Sequence, residues 1–67
     1  MGIQSVIFEK DKYTVPEALA YLKHHNLKPI KAPHITEEYI RMRVDTPHYK
    51  KYITKDLKNG IKAIIGF

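Results

Sequence analysis

Tyr39, Arg41 and Arg43 alternate along the stretch EYIRMRV, and Tyr49, Lys50, Lys51, Tyr52 and Lys55 follow shortly after. These residue types suit one chemistry above others. Guanidinium and ammonium groups neutralise phosphates, and phenol rings stack on bases. A strand carrying Tyr-x-Arg-x-Arg would put all three side chains on one face, because strand side chains alternate with a period of two. The candidate nucleic-acid-binding set is therefore Tyr39, Arg41, Arg43, Lys50, Lys51, Tyr52 and Lys55. The competing reading is structural: Tyr beside Arg is also a good cross-strand packing row on an exposed sheet face.

Other chemistries find less support. His24 and His25 are adjacent, so on a helix they diverge by about 100° and do not chelate one metal together. His34 and His48 complete the histidines, and no metal-ligand spacing links any of them. With no cysteine there is no thiolate site, no disulfide framework and no Cys nucleophile. The single serine, Ser5, lies within an apolar strand-like run rather than a strained turn. Glu9, Asp11, Glu37, Glu38, Asp45 and Asp56 show no spacing that pairs carboxylates, and they read as solvated charges. The three glycines, Gly2, Gly60 and Gly66, form no phosphate loop. Gly2 is no myristoylation signal, since Val6 stands where that motif wants Ser or Thr. No catalysis, metal or cofactor is expected.

The chain has 67 residues, which is one domain near the lower limit for a core without staples. Its 12 Lys and Arg outnumber 7 Asp and Glu, giving a net charge of +5. That excess fits contact with a polyanion, and it equally fits solubility. No apolar run approaches the roughly 18 residues of a membrane span, and no signal-peptide core follows Met1. An intracellular setting and no membrane partner are expected.

The elements that position these residues can be read in order. Ile3–Phe8 is a strand rich in β-formers. Thr14 and Glu17 make a capping box that opens a helix, and Pro16 is tolerated in its first turn. Val15, Ala18, Leu19 and Leu22 form its apolar stripe. The helix should end near His25, with Asn26 as a left-handed cap and Leu27 folding back on Leu22. Lys28–Thr36, with two prolines, reads as a loop. Glu38–Val44 is a strand with Ile40, Met42 and Val44 inward. Asp45-Thr46-Pro47 is a turn, after which Thr46 caps a single helical turn over His48–Lys50 or the chain stays extended through Tyr49.

The last third, KYITKDLKNGIKAIIGF, is a β-hairpin about Asn59-Gly60. A three-residue loop, Lys58–Gly60, with a bulge at Gly60 sets Leu57 opposite Ile61, Lys55 opposite Ala63 and Ile53 opposite Ile65. That register collects the apolar residues on one face. The expected fold is α+β: one helix packed on a small, mostly antiparallel sheet of three to four strands, in the order β-α-β-β-β. Such a sheet leaves edges open to strand addition, and Ile64, Ile65 and Phe67 offer an apolar patch near one of them.

Four strings, SVIFEKDKYT, ALAYLKHHNLKP, EEYIRMR and KNGIKAIIGF, together resemble a small domain found beside head-maturation proteases of tailed phages and in short proteins of large DNA viruses. The pattern is an S-V-I-F-x-K strand, a capped helix, a Y-x-R-x-R strand and a closing G-I-K-A-x-I-G-F strand. The chain departs from it at Tyr21, where a tryptophan is expected, and at Pro47, one residue later than the pattern's Asp-Pro. The resemblance implies a viral or phage-related origin, in a host cell or virion, and an α+β fold. It brings no catalytic residue. Two functions follow as expectations. One is a small basic module that binds nucleic acid through the Tyr/Arg/Lys set. The alternative is a protein-interaction or virion-assembly module that pairs with a viral structural protein, or with itself as a homodimer, through a sheet edge or the C-terminal apolar patch.

Overall fold

The computed structural model describes residues 2–67. Its elements run β1 (Gly2–Glu9), α1 (Val15–His24), β2 (His34–Ile35), β3 (Tyr39–Arg43), β4 (Tyr52–Lys58) and β5 (Ile61–Gly66). The fold is α+β, with a single helix among the described residues. The strands form one five-stranded sheet in the order β2-β3-β1-β5-β4, and every neighbouring pair is antiparallel. The sheet thus has more strands than the three to four expected. The addition is β2, hidden in the proline-rich connection, where His34 pairs with Arg41 and Ile35 with Ile40.

The first strand to form in sequence is the central one in space. Val6 and Phe8 on β1 are buried between Ile40 and Met42 of β3 and Ile61 and Ala63 of β5. Ala18 and Leu22 of α1 close this core from one side. The capping box is formed: Glu17 N–H donates to Thr14 Oγ1, and Thr14 N–H donates to Glu17 Oε1 at 3.0 Å. Asn26 takes the left-handed conformation (φ 58°), and Leu27 N–H closes the helix end on Leu22 O at 2.8 Å.

The helical stripe differs from expectation at Leu19, which is 40% exposed. The helix is rolled so that Tyr21 packs edge-on against Phe8, with ring centroids 5.5 Å apart. The ring brings more apolar surface to the sheet than Leu19 would, and Leu19 moves to the flank. There it lines a depression with Leu27 and Pro29.

The terminal hairpin keeps the expected pairs Lys55–Ala63 and Ile53–Ile65. Its turn is shorter than expected: Lys58 pairs with Ile61, leaving Asn59 and Gly60 as the loop, and Leu57 is the extra residue of a bulge. The turn is tethered from outside, since Lys12 Nζ donates to Asn59 Oδ1 at 2.7 Å and Tyr13 OH to Asn59 O at 3.1 Å. With the loop fixed at two residues, the register offset is absorbed one step earlier, in β4. Gly60 has φ 83°, a conformation that costs other residues a Cβ clash.

The segment after β3 forms neither a helical turn nor a strand through Tyr49. It is a strap of bends held by Asp45. Among the described residues, no helix is long and apolar enough to cross a membrane.

Candidate nucleic-acid interface

The helix covers one face of the sheet, and the other face carries no helix. Register decides which side chains project there. On β3, Ile40 and Met42 are buried against the core while Tyr39, Arg41 and Arg43 are half-buried on the opposite side. Following the pairs across the sheet, one row runs His34–Arg41–Ile7–Lys62–Asp56. The next runs Arg43–Ser5–Ile64–Thr54, and Tyr52 lies beyond it opposite Gly66. The register of β1 slips between Ile3 and Ser5, so Gln4 is a bulged extra residue.

This geometry sorts the sequence-derived set. Arg41, Arg43 and Tyr52 converge on one depression of about 280 Å³, lined also by Gln4, Pro47 and Ile64. Tyr39 shares their face but lies at the other end, in a depression of about 670 Å³ with Glu9, Asp11, Glu37 and Glu38. Lys55 does not join them: it pairs with Ala63 and so projects on the helix side. Lys50 and Lys51 precede β4 and are placed by backbone bonds to Phe67 O, at 3.0 and 3.4 Å. The expected single row is therefore an Arg41/Arg43/Tyr52 cluster, with Tyr39 at a distance and Lys55 on the wrong face.

The open face is electrically divided. Its Arg43/Tyr52 end is basic. Its Tyr39 end gathers four carboxylates beside Lys10 and Lys62. Lys62 Nζ approaches Asp56 at 4.0 Å and Lys12 pairs with Glu9 at 3.2 Å, whereas Arg41 and Arg43 make no ion pair among the described residues. A polyanion on this face is drawn toward the arginines and away from the carboxylates.

The wall formed by Pro47 and Tyr52 is held by Asp45. Its Oδ2 accepts from Tyr49 OH at 2.8 Å and lies 3.0 Å from His48 Nε2, and its Oδ1 accepts from Thr46 N–H at 2.8 Å. The bond from Tyr49, then that from His48, hold the Asp45 carboxyl below its usual range, and the same Tyr49 bond raises the phenol above its own. His48 stacks on Tyr49 with centroids 4.1 Å apart, and Tyr49 N–H donates to Tyr52 OH at 3.3 Å. The Tyr49 ring lies flat on Gly66, where any Cβ would overlap it. Asp45, His48 and Tyr49 thus brace one another.

Several residues of the site were not assigned to it in the sequence, Ile64 being read there only as part of the C-terminal apolar patch. Lys62 and Ile64 alternate with buried Ile61 and Ala63, so a strict period-two reading of β5 would have found them. Gln4 had no such signal, since only a bulge turns it to this face. His34 depended on a two-residue strand that follows a proline. No protein-family model matches the chain, and no curated protein or solved structure is significantly similar to it.

Proposed function

We propose that the domain is a non-catalytic module that binds single-stranded nucleic acid on its open sheet face. The observation that carries this reading is the uncovered face itself, on which unpaired Arg41 and Arg43 meet the ring of Tyr52 at one depression. Arg41 and Arg43 meet phosphates and Tyr52 stacks a base. Tyr39, beside four carboxylates, marks the far limit of the bound strand. A single strand fits better than a duplex: splayed bases can lie on a broad sheet, whereas the major groove admits a helix or a two-stranded ribbon. A resemblance to phage-associated domains would imply a host cell or virion as the setting of such a module. Titration of a labelled single strand against the wild type and Tyr52→Ala tests it. Loss of affinity in the variant is expected, with Tyr39→Ala affected less. Equal, undiminished binding in both variants rejects the assignment.

A second reading has its own support. Strand β4 is exposed along its whole length, and its Ile53 and Phe67, just after β5, are each about half-exposed. An open edge flanked by apolar side chains suits a protein partner, such as a viral structural protein or a second copy. Truncation of Phe67 to Ala would then abolish association that is insensitive to salt. A monomer whose partner binding ignores that change excludes this reading.

A further inference from the structure

Arg41 is left with an unmet hydrogen bond. Its Nε–H is buried and has no partner among the described residues. Buried donors are almost always paired, so an orphan asks for an explanation. The neighbours explain why the fold does not supply the partner. Arg41 stands between Ile7 on β1, which offers only an apolar side chain, and His34 on β2, whose ring does not reach its Nε–H. Gln4, which lines the same depression, is turned to other partners: Nε2 donates to Asp45 O at 3.1 Å and Oε1 accepts from Ser5 Oγ at 2.6 Å. The carboxylates that could pair with a guanidinium line the other depression of the same face. Arg43 is on the same strand and same side, two residues along, which is about 6.6 Å. That spacing is of the backbone, and it sets two like charges along one depression with no carboxylate paired to either among the described residues.

We propose that the depression formed by Gln4, Arg41, Arg43, Pro47, Tyr52 and Ile64 is a discrete seat for one phosphate group. The inference rests on the nucleic-acid reading and goes further, because it makes one phosphate fix the register of the whole strand. Rotation of the Arg41 fork brings Nε–H and an Nη–H onto two phosphate oxygens, the bidentate arrangement guanidinium favours. Arg43 neutralises the remaining charge from the side. Ile64 and Tyr52 offer the attached nucleoside an apolar floor and a stacking ring. The volume of about 280 Å³ suits a phosphate with part of its sugar rather than a folded segment. The phosphate could be an internal diester or a terminal monoester, and both present the same oxygens.

The test follows the Arg41 Nε–H resonance of the full chain by NMR during titration with inorganic phosphate, against chloride at matched ionic strength. Phosphate, and not chloride, is expected to shift that signal and slow its exchange with water. A nucleoside 5′-monophosphate and a dinucleoside monophosphate then separate terminal from internal phosphate as the preferred source. Arg41→Lys keeps the charge but removes the fork, and it is expected to weaken phosphate binding about tenfold. An Arg41 signal equally indifferent to phosphate and chloride overturns the seat, even if oligonucleotides still bind the face. A seat filled by phosphate on a protein that binds no oligonucleotide upholds the seat and rejects the nucleic-acid reading.

Discussion

Arg41 and Arg43 sit where a phosphate chain would cross β3, and their contribution is measurable as a salt dependence. Each phosphate neutralised on a single strand contributes about 0.7 to the slope of log affinity against log salt, so changing both arginines, which share one phosphate, to Gln should lower that slope by about 0.7. Anisotropy titrations at several salt concentrations check this. Asp45 gives a prediction in pH. Its pKa is depressed in the fold, so its contribution is fully present above the ordinary carboxylate pKa and is lost as pH falls through the folded value. Tyr49 is shifted upward, so its contribution holds below the ordinary phenol pKa and is lost as pH rises through the folded value. The strap carrying Pro47 should therefore stay closed across the neutral range and loosen first on acidification. The ring signals of Tyr49 on Gly66 report it by NMR, and Asp45→Asn should give the loosened spectrum at neutral pH. Tyr39, Arg41 and Arg43 were legible in the sequence because alternation within one strand needs no partner. Lys55 was misplaced because its face depends on pairing with Ala63, which only the register supplies. Gln4 was invisible because a bulge has no signature in its own residue type.

At the scale of elements, the local signals that carry their own hydrogen bonds were the readable ones. The Thr14/Glu17 capping box is formed, and Thr14→Ala should cost about 1 kcal/mol in urea unfolding. The Asn59-Gly60 turn was also readable, but its length was not. The length is set by Lys12 and Tyr13 reaching from the connection after β1, and residues that distant in sequence leave no local trace. Gly60→Ala meets both the positive φ and the side chains of Lys12 and Tyr13, with loss expected at 1 kcal/mol or somewhat more, roughly, by the same unfolding assay. Leu19 and Tyr21 show a further limit. Spacing alone gave the stripe to Leu19, and the roll of the helix was decided by which side chain fits against Phe8. Strand β2 escaped notice because two residues after a proline have no periodicity to read.

At the scale of the molecule, a thin core supports a large open surface. The core is a single layer of side chains between one helix and one sheet, and such small domains hold only about 3–5 kcal/mol in reserve. Leu22→Ala, which removes a fully buried side chain at 0% exposure, should cost about 2–5 kcal/mol and leave the chain largely unfolded. Loss of the far-UV helical signal in circular dichroism checks it. The same economy leaves one sheet face bare, and the net charge of +5 is distributed over both sides of the sheet. A site on the open face therefore differs from a general attraction of a basic protein for polyanions, and one comparison separates them. Two folded variants carry the same change in charge, Arg41→Glu with Arg43→Glu on the open face, and Lys23→Glu with Lys55→Glu on the helix side. Both are titrated with a labelled single-stranded oligonucleotide at near-physiological salt. The arginine pair should abolish binding while the lysine pair leaves it within a few-fold of wild type. Equal losses from the two pairs, or undiminished binding without Arg41 and Arg43, would contradict a nucleic-acid site on this face.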